Sequence, residues 1–316
     1  MSPVHPAAHP PTAVLLSPRG EAVRAARTAG ARTVVVGPDL AAPGMRRALA
    51  DADEAAECDW SDRGRLLDLL APFAGQSQVS VFGFDAPAAL QAGYANALLR
   101  LPGNPPGPLR ALTDPAALRT LANRYTSFPV RAERTDPAGL PEAAQRVGHP
   151  CLVRPATGRP RVLQSPAEAV ELAGSLALDE GRLLVEEVLA GPVYDVCAHS
   201  FGGAHTIHGI APAGFRAAVC GAPAGLRGMA DGVDDETVDG LDAPAVRAVR
   251  RLVTSTLEAV DHQVGLTHVA VVLTDAGPRL LGAGPGPVPG TECALYELAI
   301  TAVLHLPRRA HRAAVG

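Results

Sequence analysis

The sequence predicts an α/β protein built from two units, and three observations lead there. Short runs that are apolar almost throughout, Ala13 to Ser17, Arg32 to Gly37 and Val79 to Phe82, alternate with helical stretches over the first hundred residues. Strands buried on both faces read this way, so a parallel sheet covered by helices is expected. The run Leu101-Pro102-Gly103-Asn104-Pro105-Pro106-Gly107-Pro108 then interrupts any regular element, because Pro fixes φ and has no N–H to donate. We read it as a rigid connector. Beyond it, strand-like runs come in pairs around Gly202-Gly203 and Asp275-Ala276-Gly277, the pattern of antiparallel hairpins.

Each element follows from its own residues. Residues 1–12, rich in Pro, Ala and His, read as a loose tail, and the first unit is expected to span 13–102. Its helices are expected over Glu21 to Ala29 and Ala86 to Leu99, where Ala and Leu recur at helical spacing. Thr113-Asp114-Pro115 opens the second unit, 103–316, with a cap and a first-turn Pro, and that helix is expected to run to Tyr125. Strands are expected at Cys151 to Arg154, Arg182 to Glu187, Tyr194 to Phe201 and Ala204 to Ile210. A helix from Ser165 to Leu176 separates the first two. Asp231 to Asp242 reads as an acidic loop, then a helix over Ala243 to Val260 and strands at His268 to Leu273 and Pro278 to Leu281. Gly282 to Gly290 reads as irregular, and a last helix covers Cys293 to Leu304.

Composition narrows the function. Of 316 residues, 47% are hydrophobic, enough to build a sizeable core. The net charge of -4 gives no basic footprint for nucleic acid. No apolar run approaches the ~18 residues of a membrane span, and the start lacks the pattern of a secretory signal, so a cytoplasmic protein is expected. Five cysteines without a CxxC pair fit a reducing compartment. The chain contains no lysine, and all 28 basic residues are Arg. Schiff-base, P-loop and general-base lysines are therefore excluded. Ser17-Pro18-Arg19-Gly20 follows the first strand where a dinucleotide fingerprint would stand, which argues against a Rossmann oxidoreductase. No Gly-x-Ser-x-Gly or His-Glu-x-x-His motif is present.

Four segments in order carry a family resemblance: Leu101 to Asn104 with Thr113-Asp114, Gly148 to Pro155, Leu184 to Gly191, and His268 to Leu281. In this order they resemble the ATP-grasp superfamily, in its carboxylate–amine ligase branch, over nearly the whole chain. The resemblance implies an ATP-grasp-like α/β fold. It places an N-terminal parallel pre-grasp domain before a two-lobed α+β grasp domain, whose smaller lid lobe covers about 129–188. It implies ATP held at a hinge by Glu186, Glu187 and Val188 and at the lid by Arg154, which stands where the family has a lysine. It also implies magnesium, which bridges the phosphates during acyl-phosphate formation. Here the carried-over positions depart from the family. The grasp-helix lysine is Pro115, and the lid loop is Ala156 to Arg161 with one Gly. The ribose acid is Val193, and the metal-binding positions are Ala270, Gly282 and Gly284. None of these last three has a side-chain oxygen, so no metal ligand is expected there.

One further constellation stands outside the family pattern. With Gly202-Gly203 as a hairpin turn, His199 faces Thr206 and Cys197 faces His208, and alternation puts Asp195, Cys197, His199 and His208 on one sheet face. Cys beside His suits a nucleophile pair, and the four together suit zinc. Arg154, Arg159 and Arg161 are candidates for an anion, against a reading as solvated surface. His262 and His268 read as surface or strand-end residues. The expectation is a degenerate ATP-grasp protein without ATP-dependent ligation. It would bind a small molecule, or support an active ATP-grasp ligase or a second copy of itself. The alternatives are a divergent ligase using ATP, and a repurposed cleft working through Cys197, His199 or His208.

Overall fold

The computed structural model describes residues 10–155, 159–176, 181–213, 241–287 and 293–304. Its first unit is a parallel sheet of β1 (Thr12–Leu16), β2 (Arg32–Gly37), β3 (Glu54–Glu57) and β4 (Val79–Phe82), in the order β3-β2-β1-β4. Every residue of β1 and β4 is buried, which is why both read as unbroken apolar runs. Helices α1 (Gly20–Thr28), α2 (Arg46–Ala50), α3 (Arg63–Leu70) and α4 (Ala86–Leu99) accompany the sheet. β3 was not expected, because Glu54-Ala55-Ala56-Glu57 has neither an apolar run nor alternation. It is largely exposed and pairs with β2 at the sheet edge.

The connector is shorter than the sequence suggested. Pro106 begins α5 (Pro106–Thr113), because a Pro in the first turn gives up only an N–H that has no intrahelical acceptor. α6 (Pro115–Tyr125) follows at once, capped by Asp114, whose carboxylate accepts from Ala116 N at 2.8 Å and Ala117 N at 3.2 Å. A cap of this kind is worth about 1 kcal/mol.

A small antiparallel sheet comes next, made of β5 (Ala132–Thr135), β6 (Cys151–Arg154), β7 (Arg161–Leu163) and β8 (Leu183–Glu187) in the order β5-β8-β6-β7. α7 (Leu140–Val147) and α8 (Pro166–Ser175) share one apolar core with it. The larger antiparallel sheet contains β9 (Val193–Phe201), β10 (Ala204–Pro212), β11 (Val264–Thr274) and β12 (Gly277–Pro285), in the order β10-β9-β11-β12. On β9, Tyr194, Val196 and Ala198 pack into the core with Val246, Val249 and Leu252 of α9 (Ala243–Ala259). Asp195, Cys197 and His199 alternate with them and face the other side. Asp242 caps α9, accepting from Ala245 N at 2.9 Å, whereas 231–240 of the expected acidic loop lie outside the described residues.

Two local expectations are corrected. Gly202 (φ 57°) and Gly203 (φ 77°) do turn the β9–β10 hairpin, and Phe201–Ala204 and His199–Thr206 pair as read from the sequence. A bulge at His208 then shifts the register, so Cys197 faces Gly209 instead of His208. A bulge adds one unpaired residue to one strand and leaves no fixed mark in the sequence. Residues 282–285, read as irregular, continue β12, and another register shift between Ala270 and Val271 accommodates them.

The last helix, α10 (Cys293–Val303), packs on the first unit: Tyr296, Ile300 and Val303 share a core with Ala22, Ala25 and Leu15. Cys58, Cys151 and Cys197 are free thiols. Among the described residues no helix is long and apolar enough to cross a membrane.

Candidate functional site

A cleft opens where α5, α6, the small sheet and the β11–β12 pair meet. Its first compartment, of about 200 Å³, is lined by Arg119, Arg154, Glu186, His268, Ala270 and Gly282, among others. Among the described residues lining it, Glu186 is the only carboxylate. It is 3% exposed and sits between two guanidinium groups. Arg119 Nε donates to Oε1 at 2.5 Å and Arg154 Nε donates to Oε2 at 2.7 Å. Arg119 Nη2 also reaches the Leu280 carbonyl at 2.7 Å, while its Nη1 is buried without a partner among the described residues. One residue of α6 therefore ties the small sheet to the large one. Two cations against one anion leave the compartment with an excess positive charge.

The floor of this compartment is the β11–β12 pair. Ala270 faces Gly282 and His268 faces Gly284 across the ladder. Gly284 leaves room here, because a Cβ on it would lie 2.6 Å from Cε1 and 2.9 Å from Nε2 of His268. The imidazole thus occupies the space that a side chain at 284 would need. Its Nδ1 lies 3.3 Å from the Gly286 carbonyl. A carbonyl can only accept, so Nδ1 carries the hydrogen and Nε2 has the lone pair. Burial holds this imidazole below its usual titration range, which favours the neutral form.

His268 also borders a second compartment of about 320 Å³, lined by Ser17, Arg19, Phe84, Asp85, Gly284 and Tyr296, among others. The first four of these follow the carboxyl ends of β1 and β4. The strand order reverses between those two strands, and open α/β sheets bind ligands in such crevices. Ser17 has φ 42° and its hydroxyl accepts from Trp60 Nε1 at 2.8 Å. The two compartments share Thr113, His268 and Ala283.

Among the described residues lining the first compartment, the donor set does not fit a magnesium ion. A hard cation takes oxygen ligands, and Ala270, Gly282 and Gly284 offer none from their side chains. Both Glu186 oxygens already accept from arginines. The same surface suits an anion, through Arg119 and Arg154.

The other residues singled out from the sequence are distributed differently. Glu187 turns away to Arg131, accepting from its backbone N at 2.8 Å and its Nε at 3.0 Å. Val188 is exposed at the end of β8. Arg159 and Arg161 are exposed and do not line the cleft, while Ala156 to Gly158 lie outside the described residues. Cys197 is fully buried against Ala211 and Leu295, and burial pushes its thiol up to about 12, the wrong direction for a nucleophile. The His199 and His208 rings lie 6.0 Å apart. Among the described residues no three of His, Cys, Asp and Glu come close enough to share a metal ion, so the four-residue zinc reading is not assembled.

Three residues were missed or misread. Arg119 sits beside Leu118 and one turn before Ala122, both in the apolar core, so a charge on the buried stripe of α6 was its signal. His268, expected at the surface or a strand end, lies mid-strand and lines the cleft, and His262, expected likewise, stands just before β11 but is 2% exposed.

No protein-family model and no curated relative matches the chain. Solved structures do. An L-amino acid ligase from Bacillus licheniformis is 14% identical with a TM-score of 0.70, over 94% of this chain and 75% of that one. N5-carboxyaminoimidazole ribonucleotide synthetase from Thermus thermophilus is 18% identical at 0.70, over 94% and 79%. Biotin carboxylase from Campylobacter jejuni, in a β,γ-ATP complex, is 13% identical at 0.69, over 95% and 72%. The chain has the ATP-grasp fold that its four sequence segments suggested.

Proposed function

We propose that this chain is an ATP-grasp-fold binding protein that has given up metal-dependent carboxylate–amine ligation and holds a small anionic ligand in the cleft. The observation that carries this reading is the commitment of Glu186, the one carboxylate lining the first compartment among the described residues, to Arg119 and Arg154. Ligation through an acyl phosphate needs divalent cations held against the transferring phosphate. An Ala, two Gly and a neutralised Glu supply no place for them. The same cleft keeps two arginines where a nucleotide phosphate or a carboxylate can be met.

The test pairs turnover with binding. The purified chain is incubated with ATP, magnesium and a mixture of amino acids as acid and amine donors, and ADP release is followed against the Arg154→Met variant. The expected result is no release above that of the variant, together with calorimetric binding of ADP in EDTA. Magnesium-dependent ADP release that needs an acid–amine pair and disappears in Arg154→Met would overturn the reading in favour of a divergent ligase.

A further inference from the structure

We propose that His268 stands in for the metal ion of this cleft, completing with Arg119 and Arg154 an all-protein donor set for a phosphate or pyrophosphate group. The proposal rests on the anion-binding reading above and adds to it the residue that meets the anion and the form in which it does so.

The placement comes first. The metal-binding positions implied by the resemblance are Ala270, Gly282 and Gly284, and the structure puts them in two cross-strand pairs, Ala270–Gly282 and His268–Gly284. His268 is the only member of this quartet with a polar side chain. Its ring fills the volume above Gly284, where a Cβ would fall 2.9 Å from Nε2. The exchange is reciprocal: the glycine makes room, and the imidazole takes it. With Nδ1 held by the Gly286 carbonyl, Nε2 makes no hydrogen bond among the described residues, and the side chain lines both compartments.

The charge balance comes second. Glu186 takes one Nε from each arginine and the Leu280 carbonyl takes Arg119 Nη2, so the terminal nitrogens of Arg154 are left for other partners, and Arg119 Nη1 is a buried donor with no partner among the described residues. A buried unsatisfied donor is costly, and it belongs to a residue that lines the first compartment. The groups around His268 do not supply a competing anion on its own strand pair. β12 contributes only Gly282, Ala283 and Gly284, and Cys197, its partner on β9, is a neutral thiol. Asp195, two residues away on β9, is 1% exposed, and neither of its oxygens is hydrogen-bonded among the described residues. Across the second compartment, Tyr296 of α10, Arg19 before α1 and Asp85 before α4 complete the surroundings.

The chemistry comes third. Neutral Nε2 is an acceptor and repels a phosphate oxygen. To donate, the imidazole must take a proton from solvent, giving an imidazolium whose Nε2–H bonds to the anion. No covalent bond between heavy atoms forms or breaks. Anion binding and proton uptake at one side chain are therefore the same event, and binding tightens as pH falls.

The test is calorimetry with ADP in EDTA at pH 6.0 and 8.0, in two buffers of different ionisation enthalpy, on the full chain and on His268→Gln. The variant controls for titration of ADP itself. Expected is binding without magnesium, at least about tenfold tighter at the lower pH than the variant's own change accounts for, as one coupled proton allows. Proton uptake should be absent from His268→Gln. Arg119→Met should weaken binding at both pH values and leave the pH dependence in place. If ADP binds equally well to His268→Gln, or with the same pH dependence, the role of His268 is refuted while the anion-binding reading stands. If ADP binds only with magnesium, or not at all, both fail. Circular dichroism of each variant, compared with the full chain, separates loss of binding from loss of fold.

Discussion

Glu186 holds two guanidinium groups where almost no water reaches, so its removal leaves both cations without a counter-charge. Breaking a buried pair from one side costs far more than the pair contributes as a whole. Glu186→Gln is expected to lower stability by roughly 3 kcal/mol, read from urea unfolding midpoints. A loss under a few tenths of a kcal/mol would show that the cluster is solvated. Asp195 is strained in a different way. Burial pushes its carboxyl from 3.8 up to about 6, so its ionised form destabilises the fold. The penalty is absent below the open-chain value, grows as pH rises toward about 6, and is complete above it. Asp195→Asn should therefore raise stability at pH 7.5 by on the order of 2 kcal/mol and change little at pH 4. His262 has the opposite sign. Burial, with His205 and His199 nearby, pushes it from 6.5 down to about 3. Above pH 6.5 it costs nothing. As pH falls toward 3 the open chain takes up a proton that the fold refuses, so stability is lost progressively. His262→Phe should flatten the acid limb of the stability curve between pH 6.5 and 4, and an unchanged limb would exclude His262 as its source.

At the level of elements, the contact between His268 and Gly284 adds a side-chain constraint to the β11–β12 ladder. Gly284→Ala pushes a methyl group into the His268 ring and should cost about 1–2 kcal/mol, as overpacking does. In a His268→Ala background most of that cost should vanish. A coupling energy near zero in this double-mutant cycle would mean that the ring moves aside freely. Legibility also differed element by element, for physical reasons. β1, β2 and β4 announced themselves because both faces are buried, whereas β3, a mostly exposed edge strand with acidic ends, had no pattern to read. α5 was hidden by its own prolines, which suit a first helical turn as well as they suit a connector. The β10 bulge could not be counted from sequence, and it separated Cys197 from His208. For the cleft, Arg154 and Glu186 were readable through their motifs, but Arg119 was not. Its partner Glu186 lies 67 positions away, and only the fold brings them together.

On the scale of the whole molecule, the order of segments revealed the architecture while single residues carried the chemistry. Four motifs spaced over nearly the full chain sufficed for the fold, yet the role proposed for His268 turns on one ring and one missing Cβ. The packing also joins the ends of the described chain. Ile300 of α10 is fully buried among residues of β1 and α1. Ile300→Ala is expected to cost about 2–5 kcal/mol and to reduce hydrogen-exchange protection of β1 amides. β6 and β8, which lie in a separate core, should keep theirs under native conditions. Equal loss in both sheets would mean that the units unfold as one.

The Trp60–Ser17 hydrogen bond brings the chain's single indole to the rim of the second compartment. Any ligand that moves the Ser17 hydroxyl changes the polarity around that indole, so occupancy should register as a shift in emission wavelength without any label. The molecule thus has its own optical gauge of a filled cleft, with no second tryptophan to blur the signal.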